Sequence, residues 1–181
     1  MSDEILKYLN ELSLKDNTTR KQAFDELLKL TESEVDWADE AFDMLAPKLK
    51  SPNSFQRSIA MMLLSNLSKS NIENRLSDIM PAYLAILDDK KFITSRQSIQ
   101  ACYKAAICCD SIRKQIVDSL FSLYNRSRHL ATHANLIQKD IVTSLYNIYK
   151  EHSDSVDVEE LKTCIAQTGD KKLMKTLMVK I

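Results

Sequence analysis

The side chains of this chain best able to ligate a metal or act as nucleophiles are four cysteines and three histidines. His129 and His133 stand four residues apart, a spacing that lets two imidazoles share one metal ion when both lie on one helix. No neighbouring cysteine or carboxylate completes the set, and a helix starting after His129 leaves that residue in the preceding loop, so solvated loop histidines are expected. His152 follows Glu151 near a helix end, where an imidazolium favours the dipole. Cys102, Cys108 and Cys109 fall on one helix and, with Cys164, show no CxxC pairing, which suits reduced, partly buried packing residues. A Cys-His pair needs only to meet in space, but no strand-turn element is present to expose a nucleophile. A single glycine leaves neither a phosphate-cradling loop nor a dinucleotide fingerprint. The chain is therefore read as a non-enzyme, with no catalytic residue, cofactor or metal.

The elements that carry these residues are helices. Arg20, Ala23, Leu27 and Leu30 repeat as Arg57, Ala60, Leu64 and Leu67, as Arg96, Ile99, Tyr103 and Ala106, and as Lys139, Val142, Tyr146 and Tyr149. Offsets of 0, +3, +7 and +10 return to one side of a helix, so each set is an apolar stripe headed by a cation. The sets start 37, 39 and 43 residues apart. A period of about 40 residues marks a helical solenoid, whose stacked hairpins bury together what none can bury alone. Each stripe lies on the second helix of its hairpin. Leu27, Leu64, Tyr103 and Tyr146 are expected at equivalent buried places.

Five units follow from this reading. The first, about residues 3–32, pairs a helix at Asp3–Leu14 with one from Thr18 or Thr19 to Glu32. The second, 34–69, begins near Glu34, is bent or ended at Pro47, turns at Ser51-Pro52-Asn53-Ser54 and continues from Phe55 to Lys69. The third, 72–109, runs from Ile79 through Pro81 to Asp89 and on past Arg96. The fourth, 111–152, joins Ser111–Asn125 to a helix at His133–His152 across the basic loop Arg126-Ser127-Arg128-His129. A C-terminal cap, 156–181, holds helices near Val158–Gln167 and Lys171–Lys180 around Gly169.

Pro81 followed by an apolar run to Leu87-Asp88-Asp89, and a basic residue with a small or apolar one three positions on, resemble the HEAT repeats. The resemblance implies an all-α, right-handed superhelical solenoid of HEAT-like hairpins, one domain over residues 1–181. The family's Asp some six residues before the Arg is missing, since Leu14, Ser51, Lys90 and His133 stand there. That offset supplies no regular inter-unit Asp-Arg ladder. Some iron-binding hydroxylases built on these repeats carry His-Glu dipeptides, and none occurs in this chain. Some alkylated-base glycosylases share a related fold and use aromatic and acidic residues on a basic concave surface. A nucleic-acid-associated protein of that type is the alternative function. Trp37 sits among Asp36, Asp39 and Glu40, which would repel a phosphate backbone, so packing or capping is its expected role.

Net charge is zero, with 25 basic and 25 acidic side chains. Residues 1–50 hold 7 basic and 12 acidic groups, a net of −5, while 51–110 hold 7 and 5 and 111–152 hold 6 and 3. A surface tracking phosphates normally carries a larger excess, so nucleic acid is an unlikely partner. No apolar run reaches the roughly 18 residues of a membrane span, and the acidic Met1-Ser2-Asp3-Glu4 is unlike a signal peptide. A soluble, cytoplasmic protein without membrane contact is the expectation.

On the second helices, the side opposite each stripe loses charge in the middle units, where Ser58, Met62, Asn66, Ala101, Ala105 and Ser144 replace the Lys21, Asp25 and Lys29 of the first. Second helices line the concave side of a solenoid. The predicted function is therefore a scaffold that binds a peptide or helix of another protein there. The candidate surface is Met62, Asn66, Ala101, Lys104, Ala105, Ser144 and Asn147.

Overall fold

Side-chain caps fix where many of the helices begin. The computed structural model describes residues 1–178 and 181, which form ten α-helices and, among these residues, no strand. Helix α1 (Asp3–Glu11) starts where Ser2 accepts the Ile5 amide, and α2 (Asn17–Leu30) where Asp16 accepts that of Thr19 at 2.7 Å. Helix α3 (Ala38–Leu45) runs into a 3-10 turn at Ala46–Lys50, with Pro47 in its first positions where no amide donor is needed. Asn53 caps α4 (Ser54–Leu67). Then come α5 (Glu73–Ala85), α6 (Phe92–Cys108), α7 (Asp110–Arg126) and α8 (Leu130–Glu151). Asp157 and Asp170 each accept two amides at the starts of α9 (Val158–Gln167) and α10 (Lys171–Leu177).

Two of the breaks between helices use left-handed backbone. Asn71 takes φ 61° after the 3-10 turn Ser68–Ser70, and Gly169 takes φ 65° after α9. Both end a helix in a single residue. Pro81 lies inside α5, where its missing N–H leaves the Ser77 carbonyl without its intrahelical partner.

Several boundaries differ from expectation. The first helix stops at Glu11 rather than Leu14, because Ser13 and Leu14 turn back on Asn10 and Glu11. The helix expected from Glu34 starts at Ala38, and Trp37 instead takes the cap position with its ring buried in the core. The helix expected from His133 starts at Leu130, and His133 itself leaves helical geometry (φ −141°, ψ 30°), which kinks α8 after its first turn. The last helix ends at Leu177; the expected continuation through Val179 and Lys180 lies outside the described residues.

The helices pair as hairpins α1/α2, α3/α4, α7/α8 and α9/α10, whereas α5 is joined to α6 through the 3-10 turn Ile86–Asp88, which packs on both. The second helices pack side by side, α2 on α4, α4 on α6 and α6 on α8, while α5 packs on α7 in the layer of first helices. One apolar core runs between the layers from Ile5 to Leu177. Leu27, Leu64 and Tyr146 are buried in it as expected, whereas Tyr103, expected to be buried with them, only packs against it from a half-buried position. Leu30, which closes the first stripe, is 40% exposed. Core hydroxyls are satisfied locally: Ser65 and Tyr83 share a hydrogen bond of 2.6 Å, and the Tyr124 hydroxyl donates to the Cys164 carbonyl.

Candidate functional site

The seven predicted surface residues do come together on adjacent second helices, but most are not surface. Ala105 and Ser144 are fully buried, and Asn66 and Ala101 are 3% and 8% exposed. Only Met62, Lys104 and Asn147 are half-exposed. The burial of the others has a simple cause. A helix in the middle of a row has neighbours on both flanks as well as a core beneath, so positions away from the stripe still meet another helix. Small residues there let α4, α6 and α8 approach closely, and polar atoms lock the seams. Ser144 donates to the Ile99 carbonyl at 2.6 Å, Ser58 donates to Gln97 at 2.5 Å, and Asn66 donates to Thr31 and the Leu28 carbonyl. Lys104 donates to Asn66 at 2.6 Å, and its ammonium is held below the usual lysine range by burial first and then by the charge of Lys69.

The cations that head the stripes are each tied forward to the next unit. Arg57 grips Asp89 through two hydrogen bonds of 2.5 and 2.8 Å with both side chains nearly solvent-free, Arg96 grips Asp140 at 2.6 and 3.1 Å, and Lys139 meets Asp170 at 2.5 Å. Arg20 instead lies over the Phe55 ring at 4.9 Å. A ladder therefore exists although the Asp at the family's offset is missing. At that same offset, Arg20 and Arg57 take the backbone carbonyls of Leu14 and Ser51. The carboxylates come from less regular places: seven residues before Arg96, one after Lys139 and one before Lys171. Sequence reading at one fixed offset missed them. Burial works against the Asp89 carboxylate, but the bonds from Arg57 and the Lys91 amide outweigh it and hold the group below the usual range.

A cleft of about 400 Å³ opens in front of α2 and α4. Phe24, Phe55, Ile59 and Met62 supply apolar walls, and Arg20, Lys21, Asp25 and Gln97 stand at its rim. Phe55 is 60% exposed, more than any other large apolar side chain described. Of the predicted surface, only Met62 belongs to this cleft.

The histidines and cysteines are placed for packing. His129, expected in solvent, is 8% exposed, because the turn is tighter than expected and sets its ring Nε2 2.7 Å from the Asp89 carbonyl. His133 is exposed and stacks on Phe92 at 3.9 Å between centroids, so the two imidazoles do not converge on a metal. Among the described residues no group of three His, Cys, Asp or Glu side chains could hold a metal ion. His152 lies 3.0 Å from Arg113 and 2.9 Å from the Ile107 carbonyl, and with Arg113 it caps the end of α6. Burial pushes the Cys109 thiol up to about 12 and that of Cys164 to about 11, and raises Cys102 further still. Thiols so placed stay protonated and inert at neutral pH. A disulfide-exchange reagent should therefore react fast with one thiol of the native chain, the exposed Cys108, and with all four only after denaturation. Fast reaction of a second thiol in the native chain would contradict the burial described.

No protein-family model matches the chain, and no curated protein matches it. Solved structures are similar in fold, two engineered proteins among them. One is an engineered protein, Northeast Structural Genomics Consortium target OR366, with 16% identity and a TM-score of 0.55 over 98% of this chain and 86% of that one. Another engineered protein of the same consortium, target OR329, shares 19% identity with a TM-score of 0.57 over 98% of this chain and 72% of that one. What these likenesses give is the all-helical fold.

Proposed function

We propose that the chain is a right-handed superhelical solenoid of HEAT-like hairpins that works in the cytoplasm as a non-enzymatic interaction module, receiving a helix or an extended segment of another protein. The observation that carries this reading is the apolar cleft before α2 and α4, with Phe55 left 60% exposed at its edge. A folded chain that leaves such a ring beside Phe24 and Met62 has an apolar anchor point rimmed by polar groups, the composition of a binding pocket for a side chain. The partner site is therefore shifted from the buried seam at Ala101, Ala105 and Ser144 to the cleft that Met62 shares with the first unit. Row-wise packing of the second helices and the forward ion-pair ladder support the repeat architecture.

Affinity capture with the wild-type chain and with Met62→Glu tests the site. Met62 is half-exposed, so the variant keeps its melting temperature, and a protein recovered by the wild type should be lost from the variant. Equal recovery by both would place the partner elsewhere.

A further inference from the structure

Zero net charge hides a division into two edges. Hydrogen bonds between successive units align the turns inside the hairpins along one side of the molecule: Lys48 reaches Ser13, Thr94 reaches Ser54, and Asp88 binds the hydroxyl of Ser127 and the amide of Arg128. The Lys139–Asp170 pair brings in the last turn. These five turns (residues 12–17, 46–54, 86–92, 126–130 and 167–172) carry nine basic and four acidic side chains, a net of +5. The turns between units (31–38, 68–73, 108–111 and 151–158) align along the other side, through Lys69 to the Glu32 carbonyl, Glu73 to the Ser111 amide and His152 to the Ile107 carbonyl. They carry one basic and eight acidic side chains, a net of −7.

Three of the four acids on the basic edge are already engaged, Asp88 with Arg128, Asp89 with Arg57 and Asp170 with Lys139. Lys15, Lys50, Lys90, Lys91, Arg126 and Lys171 are exposed and have no carboxylate partner among the described residues. With helices spaced about 8–10 Å apart, five turns make a cationic row roughly 35 Å long. Aromatic rings stand among the cations. Phe55 is exposed beside the second turn, and His133, stacked on Phe92, is exposed between Lys90-Lys91 and Arg126.

We propose that this edge binds single-stranded nucleic acid without sequence preference, its phosphates on the row of cations and its bases on Phe55 and His133. A phosphate backbone matches a linear row of unpaired cations, and bases free to unstack can lie on exposed rings. A duplex keeps its base faces covered, and a polycarboxylate chain has no use for the rings. The acidic edge repels the same ligand and so orients it.

Fluorescence anisotropy with a labelled oligothymidylate decides the matter, with an oligonucleotide duplex and polyglutamate as competitors. Nonspecific binding of this kind has a Kd of about 10⁻⁴–10⁻⁶ M at physiological salt, and with about five phosphates held it weakens roughly a hundredfold between about 50 and 200 mM salt. Lys90→Glu with Lys91→Glu should abolish it at the higher salt, whereas Lys29→Glu with Lys150→Glu, an equal charge change in the helix ends next to the acidic edge, should leave it within about twofold. Phe55→Ala with His133→Ala should weaken the oligothymidylate complex and leave duplex competition unchanged. Absence of binding at low salt, equal loss from both charge reversals, or tighter binding of polyglutamate indifferent to the rings would each overturn the proposal, the last in favour of an acidic protein partner. Melting temperatures of the variants should match the wild type, since every changed side chain is exposed.

Discussion

Arg57→Ala should destabilise the chain by about 3–5 kcal/mol in urea unfolding, the cost of stranding a buried carboxylate, and Asp89→Ala should do the same from the other side. Arg57 and Asp89 are 8% and 5% exposed, and each has further bonds that depend on the pair. The guanidinium also takes the carbonyls of Ser51 and Pro52, and the carboxylate takes the Lys91 amide. The pair therefore joins the turn before α4 to the turn before α6. Replacing both residues with leucine should cost much less than either single change, because two apolar side chains leave no unpaired charge. Single variants losing under about 1 kcal/mol would show that water reaches the pair.

The same group gives a pH signature. The folded pKa of Asp89 lies below its unfolded value of about 3.9, so its stabilisation is present above that value and is lost as pH falls through the folded pKa. Asp170, held down to about 2 first by its bond with Lys139 and then by the amides at the start of α10, acts in the same direction. Wild-type stability should fall steeply between about pH 4 and pH 2. Asp89→Asn should flatten part of that slope.

Ala105→Glu should prevent folding altogether. Ala105 has no exposed surface and sits in α6 with neighbouring helices on either flank, so a glutamate there adds volume to a packed interior and buries a charge without a partner. The far-ultraviolet helical signal and the cooperative melt should both be lost. Ala105→Ser, nearly the same size and able to bond back to its own helix, should fold. A folded Ala105→Glu chain would restore the view of this position as surface.

Much of the architecture was legible because it rests on helix period. The stripes through Leu27, Leu64 and Tyr146, the turn at Ser51–Ser54 and the break at Gly169 all follow from local rules and recur in the structure. What one period cannot reveal is how many neighbours a helix has. Ala101, Ala105 and Ser144 stand off the stripe, where a lone hairpin would meet water, and it is the row of packed helices that buries them. His129 was missed for a related reason, since its burial depends on the Asp89 carbonyl forty residues away. The ladder was half visible: Arg57 and Arg96 were singled out, but Asp89 and Asp140 occupy offsets that differ from each other. The two charged edges were invisible in counts taken along the chain, because each window of that length mixes turns of opposite sign with the charges of the helices between them.

The small-residue seams also set how the molecule bends. Between α4, α6 and α8 the backbones are drawn close by alanine and serine, and the seam bonds of Ser58 and Ser144 tie one helix to the next, so sliding one hairpin past another breaks several of them at once. The first unit has a sparser seam: α2 meets α4 through Asn66 and the Arg20–Phe55 stack, and further ties between the units are single hydrogen bonds from Lys48, Gln56 and Lys69. In mechanical terms the chain is a stiff beam with a compliant end, and the cleft lies at the joint. An object seated between α2 and α4 would strain that joint rather than the beam, so its opening can adjust to the width of what enters while the rest of the molecule keeps its shape.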